Sequence, residues 1–100
     1  MIKIYGMGTC PDCTYVEEQV KGNTMYEVID IGTHVKYLKE FLRLRDKNSC
    51  FDACKRIGAV GIPCFVLEDG RVTLKPEDAG LKSRTIEEEG PACNLDGTGC

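Results

Sequence analysis

The chain has a single histidine, His34, and nothing in it resembles a nucleophile–histidine–acid set. A glycine-rich phosphate loop and a paired-carboxylate site are equally missing. No apolar run approaches the roughly 20 residues of a membrane span. Residues 1–6 carry neither a long apolar stretch nor a small-residue cleavage site, so no membrane association and a cytoplasmic location are expected. Bases are outnumbered, 13 Lys and Arg against 16 Asp and Glu, and they form no block. Nucleic acid binding needs a concentrated basic face, so nucleic acid is not an expected partner.

What is present is one domain's worth of chain: 100 residues, 42% hydrophobic and 29% charged. Residues 76–100 hold six acids against two bases, whereas residues 1–75 hold ten acids against eleven bases. The division is therefore a near-neutral body, 1–84, and an acidic, cysteine-containing tail, 85–100, without periodicity. The expected state is a monomer.

Residues 2–5 read as a strand that stops at Gly6. Residues 11–21 read as a helix, with Cys13, Val16 and Val20 on one face and Pro11 at its first position. Residues 25–31 are rich in β-branched side chains and predict a second strand. A helix over 35–47 follows, capped by Thr33, with Val35, Leu38, Phe41, Leu42 and Leu44 as a core-facing stripe. His34 then reads as a surface or capping neighbour. A short helix over 50–57 turns Phe51, Cys54 and Ile57 inward and stops at Gly58. Residues 62–67 and 71–74 flank Asp69-Gly70, the strongest short-range hairpin signal available. A last short helix is expected over 76–81. The order is β-α-β-α-α-β-β-(α): a parallel β-α-β half and an antiparallel hairpin half.

With no secretion signal expected, seven cysteines point to redox chemistry, metal or packing more than to structural bridges. Cys10-Pro11-Asp12-Cys13 enters a helix directly after a strand. The thiolate is the reactive form of cysteine, and a helix start offers unpaired N–H groups and about half a positive charge. Cys10 sits where that field is strongest, and its pKa should fall below the usual 8.5 or so. Cys13, one turn deeper, should be shielded and higher. Cys10 is then the nucleophile and Cys13 the resolving thiol of a disulfide exchange. The competing reading is a metal or iron–sulfur binding module using Cys10 and other thiols.

The C-x-x-C after strand 2–5, with Gly61-Ile62-Pro63 opening a later strand, resembles the glutaredoxins of the thioredoxin-like superfamily. The stretch from Phe51-Asp52 through Gly61-Ile62-Pro63-Cys64-Phe65-Val66 is similar to a bacterial glutaredoxin-related subgroup. The resemblance covers about residues 1–80. It implies a thioredoxin-like fold, a four-stranded mixed sheet flanked by helices, and thiol–disulfide exchange without a resident cofactor. It also implies a cis Ile62–Pro63 bond, with Pro11, Asp12, Ile62 and Pro63 contacting substrate. Partners are a disulfide-containing protein or low-molecular-weight thiol, and a reductase as electron donor. Glutathione is a candidate cosubstrate in this family, but Met7 stands where glutathione-using members carry a cation. Gly61 replaces a threonine, and 75–80 lacks their glycine pair. These departures predict weak glutathione binding and a flavoprotein or another thiol as donor. Asp12, an anion beside Cys10, predicts a potential nearer about −270 than about −200 mV.

Cys64, Cys93 and Cys100 are auxiliary thiols on this reading, Cys64 because it follows Pro63. Cys50 and Cys54 share a helix face, with core packing expected for Cys54 and a partly exposed thiol for Cys50. Tyr15, on the first helix, is placed to flank the active pair.

Overall fold

Alternation of side chains along two central strands divides the interior into two layers. The structure, a computed structural model, describes residues 1–83. The predicted tail with Cys93 and Cys100 lies outside the described residues. β1 (Ile2–Gly6) pairs in parallel with β2 (Tyr26–Asp30), from Ile2 opposite Tyr26 to Gly6 opposite Asp30. A parallel pair needs a crossover, and α1 (Pro11–Gln19) supplies it. After α2 (Val35–Lys47), a 3-10 turn (Ser49–Phe51) and α3 (Asp52–Ile57), β3 (Cys64–Val66) returns antiparallel to β1. β4 (Val72–Thr73) pairs antiparallel with β3. The strand order β2-β1-β3-β4 makes one mixed sheet, the expected α/β arrangement. The hairpin closes as Asp69-Gly70 predicts, through Leu67 N–H to Arg71 carbonyl at 2.8 Å. Among the described residues no helix is long and apolar enough to cross a membrane.

Neighbouring residues of a strand face opposite sides. Ile4 and its partner Phe65 therefore join Val16, Val20, Leu67 and Ala79 in one buried layer. Tyr5 and its partner Cys64 join Phe41, Phe51, Ile29, Ile31, Ile62, Cys10 and Cys13 in the other. Three rings fill the centre of that second layer, with centroids 6.5 Å apart for Tyr5–Phe41 and 5.8 Å for Phe41–Phe51.

Several expectations need correction. The cap of α2 is His34, whose Nδ1 accepts the Lys36 N–H at 3.1 Å. Thr33 instead donates its hydroxyl to the Asp30 carbonyl at 2.8 Å. The α2 stripe does not face the core as a whole: Phe41 is buried, while Val35, Leu38 and Leu42 are 56%, 37% and 40% exposed. One large ring at 41, packed between Tyr5 and Phe51, occupies the space that a stripe of smaller side chains would share. Ile57 is exposed for a related reason, since Phe51 fills the layer ahead of a helix only six residues long. The final element is a single 3-10 turn, Pro76–Ala79, not a helix to residue 81. It is held to the sheet by the Tyr26 hydroxyl donating to the Ala79 carbonyl at 2.8 Å.

Candidate active site

The site is built where β1 hands the chain to α1. The Cys10 N–H donates to the Met7 carbonyl at 3.1 Å, closing the loop Met7-Gly8-Thr9. One carboxylate braces that loop: Asp30, at the end of β2, accepts the Gly8 N–H at 3.2 Å and the Gly32 N–H at 2.7 Å. Cys10 is the N-cap residue of α1, with extended backbone and Pro11 next. Its sulfur takes the place usually given to a serine or aspartate oxygen, accepting the Cys13 N–H at 3.3 Å. The Cys10 carbonyl receives the Thr14 N–H at 3.0 Å and the Thr14 hydroxyl at 3.2 Å. Both sulfurs are buried, and both are thiols.

This placement separates the two thiols electrically. A hydrogen bond from the Cys13 side chain holds Cys10 below the ordinary cysteine range, helped by the Cys13 and Asp12 backbone N–H groups. Partial desolvation and the Asp12 charge oppose it. Cys13 moves strongly upward, first through its bond to Cys10, then through burial, then through the charges of Cys10 and Glu17. A dithiol of this kind keeps its single negative charge on the sulfur at the helix end.

The loop before β3 reaches the same buried layer. The Ile62–Pro63 peptide is cis, and Ile62 packs in the same buried layer as Cys10 and Cys13. Arg45 holds the approach to this loop, donating from Nε to the Val60 carbonyl at 3.0 Å and from Nη2 to the Ala59 carbonyl at 2.8 Å. Pro11 is exposed and Asp12 half-buried on the first turn of α1. Tyr15 lines a groove of about 890 Å³ along α1, together with Thr9, Pro11, Thr14 and Lys82.

Cys64 is buried opposite Tyr5, and the Cys50 and Cys54 thiols lie near enough to act on it. Burial first, then those two thiols, pushes it up to about 12. Cys50 is exposed and also shifted upward, while Cys54 is half-buried. Of the described cysteines, Cys10 alone is held low, while Cys13, Cys50 and Cys64 are all raised. Among the described residues no three His, Cys, Asp or Glu side chains are placed to hold a metal ion, so the metal reading gains nothing there. Cys93 and Cys100 lie outside the described residues.

Three contributors were not identified from the sequence. Asp30 falls within the expected strand, although Asp30-Ile31-Gly32 carries the Asx-turn signature of an acid two residues before a glycine. In the sequence Gly6 marks only a strand end. A Cβ there would lie 3.0 Å from the Cys13 sulfur, so the glycine makes room for the second thiol. Arg45 gives no local signal, because its partners are carbonyls 14 and 15 residues away.

Comparison with known proteins finds an uncharacterized protein of Haemophilus influenzae, 40% identical over 67 residues, spanning 66% of this chain and 78% of that protein. No family model matches, and no solved structure matches.

Proposed function

The chain belongs to one family with the Haemophilus influenzae protein, and we propose that it is a thiol–disulfide oxidoreductase of the glutaredoxin kind, with a thioredoxin-like fold. The observation that carries this reading is the Cys10 sulfur at the cap of α1, accepting the Cys13 N–H with the second thiol beside it.

The chemistry follows from the unequal pair. The Cys10 thiolate attacks one sulfur of a substrate disulfide, and the other substrate sulfur leaves and takes up a proton. The largest effect holding the proton on Cys13 is its bond to the Cys10 sulfur, and that bond is lost once Cys10 is in a mixed disulfide. Cys13 then gives up its proton and attacks the Cys10 sulfur, releasing the reduced substrate and leaving Cys10–Cys13 as a disulfide. A reductase or a low-molecular-weight thiol returns the two electrons. On this reading Pro11, Asp12, Ile62 and Pro63 contact the substrate. Met7 supplies no cation for a glutathione carboxylate, and Asp12 adds an anion, which favours a flavoprotein or another thiol as donor. The same two residues favour a potential nearer about −270 mV, and a titrated value above about −200 mV would oppose that part of the reading. Reductive exchange of this type suits the cytoplasm.

An insulin-reduction assay with single variants tests the assignment. Cys10→Ser should abolish turnover, and Cys13→Ser should accumulate a mixed disulfide between Cys10 and the substrate. Equal activity of Cys10→Ser and the unmodified chain would overturn it.

A further inference from the structure

Resolution of a mixed disulfide leaves a proton to be placed. Cys13 is 0% exposed, and its sulfur lies against β1, 3.0 Å from where a Cβ of Gly6 would stand. A buried thiol becomes a nucleophile only when its proton finds an acceptor. One turn further along α1, Glu17 shares the face of Cys13, an i, i+4 relation that brings Cβ atoms to about 6 Å. Glu17 is half-buried and lines a groove of about 610 Å³ between α1 and β2, together with Thr14, Val20, Tyr26 and Val28. It therefore stands between the closed sulfur and open solvent. From the sheet, Asp30 lies beside Gly6 in the strand register and adds its charge. Glu18 and Lys21 line the same groove at exposed positions.

The geometry points to Glu17 as the acceptor of the Cys13 proton in the resolving step. The inference rests on the oxidoreductase reading and adds to it the group that turns Cys13 into a nucleophile. Two charged groups act on Cys13, Cys10 and Glu17. Once Cys10 is tied to substrate it can no longer take a proton, and Glu17 is the one that remains. The Glu17 carboxyl suits the exchange, because burial and then the Asp30 charge raise it above the ordinary carboxylate range. Among the described residues no hydrogen bond or ion pair holds it ionised. The transfer also removes a repulsion: a neutral Glu17 no longer raises Cys13, while the Met7 N–H favours the thiolate.

The step balances. In the mixed disulfide the Cys10 sulfur is bonded to a substrate sulfur, and the Cys13 thiol gives its proton to the Glu17 carboxylate. The Cys13 thiolate then attacks the Cys10 sulfur. The Cys10–Cys13 bond forms as the bond from Cys10 to substrate breaks, and the substrate sulfur leaves with the electron pair as a thiolate. Glu17 releases its proton into the groove, and the substrate thiolate takes one from water. In reverse, a donor thiolate attacks Cys10, and the departing Cys13 sulfur recovers a proton from Glu17.

Full-length reduced protein mixed with excess bis(2-hydroxyethyl) disulfide, quenched in acid and mapped by peptide mass, reports on Cys10 alone. Formation of the Cys10 adduct measures attack, and its conversion to the Cys10–Cys13 disulfide measures resolution. In the unmodified chain, resolution should be level from the Glu17 midpoint to about pH 7.5, because the proton moves within the protein. In Glu17→Gln it should be slower by about tenfold or more near pH 6, and should climb about tenfold per pH unit as the thiolate fraction does. Attack by Cys10 should be unchanged, which shows an intact site, and Glu17→Asp should keep the level profile. A glutamate acting only through its charge predicts the opposite sign, since its removal would lower Cys13 and speed resolution. Resolution in Glu17→Gln that is unchanged or faster, or attack slowed as much as resolution, would overturn the inference. So would a climbing profile in Glu17→Asp. An adduct that forms and resolves without regard to Glu17 sinks only this inference, whereas no Cys10 adduct in the unmodified chain sinks the oxidoreductase reading as well.

Discussion

At the residue scale, the decisive feature is that sulfur replaces oxygen at a helix cap. A serine at position 10 would satisfy the Cys13 N–H equally well; a cysteine there gains a donor that favours its anion. Asp12 works against this, its charge raising Cys10. Removing the charge should therefore lower the Cys10 midpoint. A screened unit charge within a helical turn is worth on the order of 0.7 kcal/mol, or about threefold in an equilibrium constant. Asp12→Asn should accordingly speed iodoacetamide labelling of Cys10 by about threefold at a pH below its midpoint, with little change well above it. A rate unchanged across the pH series would show that Asp12 does not reach the thiolate. The C-x-x-C pair was legible in the sequence because helix start, proline and cysteine are neighbours along the chain. The bond from Gly8 to Asp30 and those from Arg45 to the 59–60 carbonyls were not, because they join segments that are distant along the chain.

At the element scale, the short loop before β3 is the most tightly constrained piece. Gly61 has φ +93°, and a Cβ there would meet the Phe51 ring at 2.7 and 2.8 Å. Phe51 is fully buried and packs edge-on against Phe41, so the ring has nowhere to go. Gly61→Ala should cost about 2–4 kcal/mol, combining left-handed backbone strain with overpacking. Gly70 has the same kind of backbone, φ +90°, but open space around it, so Gly70→Ala should cost only about 1–2 kcal/mol. Urea midpoints of the two variants, read with unchanged slope, check the contrast. Equal losses would mean that the Phe51 contact is not rigid. The elements that could be read in advance are those with local signals: the alternation in β1, Pro11 at the start of α1, Asp69-Gly70 in the hairpin. The α2 stripe misled because periodicity marks which residues share a face, not how much of that face the sheet can cover. Phe41 fills most of the available depth, with Tyr37 and Leu44 partly buried beside it, leaving Leu38 and Leu42 at the surface.

At the scale of the whole molecule, protons and folding are linked through thiols of opposite sign. Cys10 is held low, so its contribution to stability is present above the unfolded value and is lost as pH falls through its folded value. Cys64 behaves in the reverse sense. Its pKa rises from 9.0 to about 12, so its contribution is complete below 9 and disappears as pH climbs toward 12. Across that window the unfolded chain has released a proton that the folded chain still holds, and stability falls by about 1.4 kcal/mol per pH unit. Tyr5, raised from 10.0 to about 12 by burial and then by the Glu40 charge and hydrogen bond, adds a second proton from pH 10 upward. Cys13 and Cys50 act in the same direction. From these thiols, the stability of the reduced protein should therefore rise from the Cys10 midpoint toward about pH 9 and fall above it. Cys64→Ala separates one thiol from the rest. It should lower stability at neutral pH through the small cavity left on β3, yet flatten the decline between pH 9 and 12 by about 1.4 kcal/mol per unit. Denaturant unfolding of both proteins under reducing conditions, repeated across that range, gives the two slopes. Parallel declines would mean that the Cys64 thiol titrates in the folded protein as it does in the unfolded chain, and that the buried layer beneath Tyr5 and Phe51 is open to water.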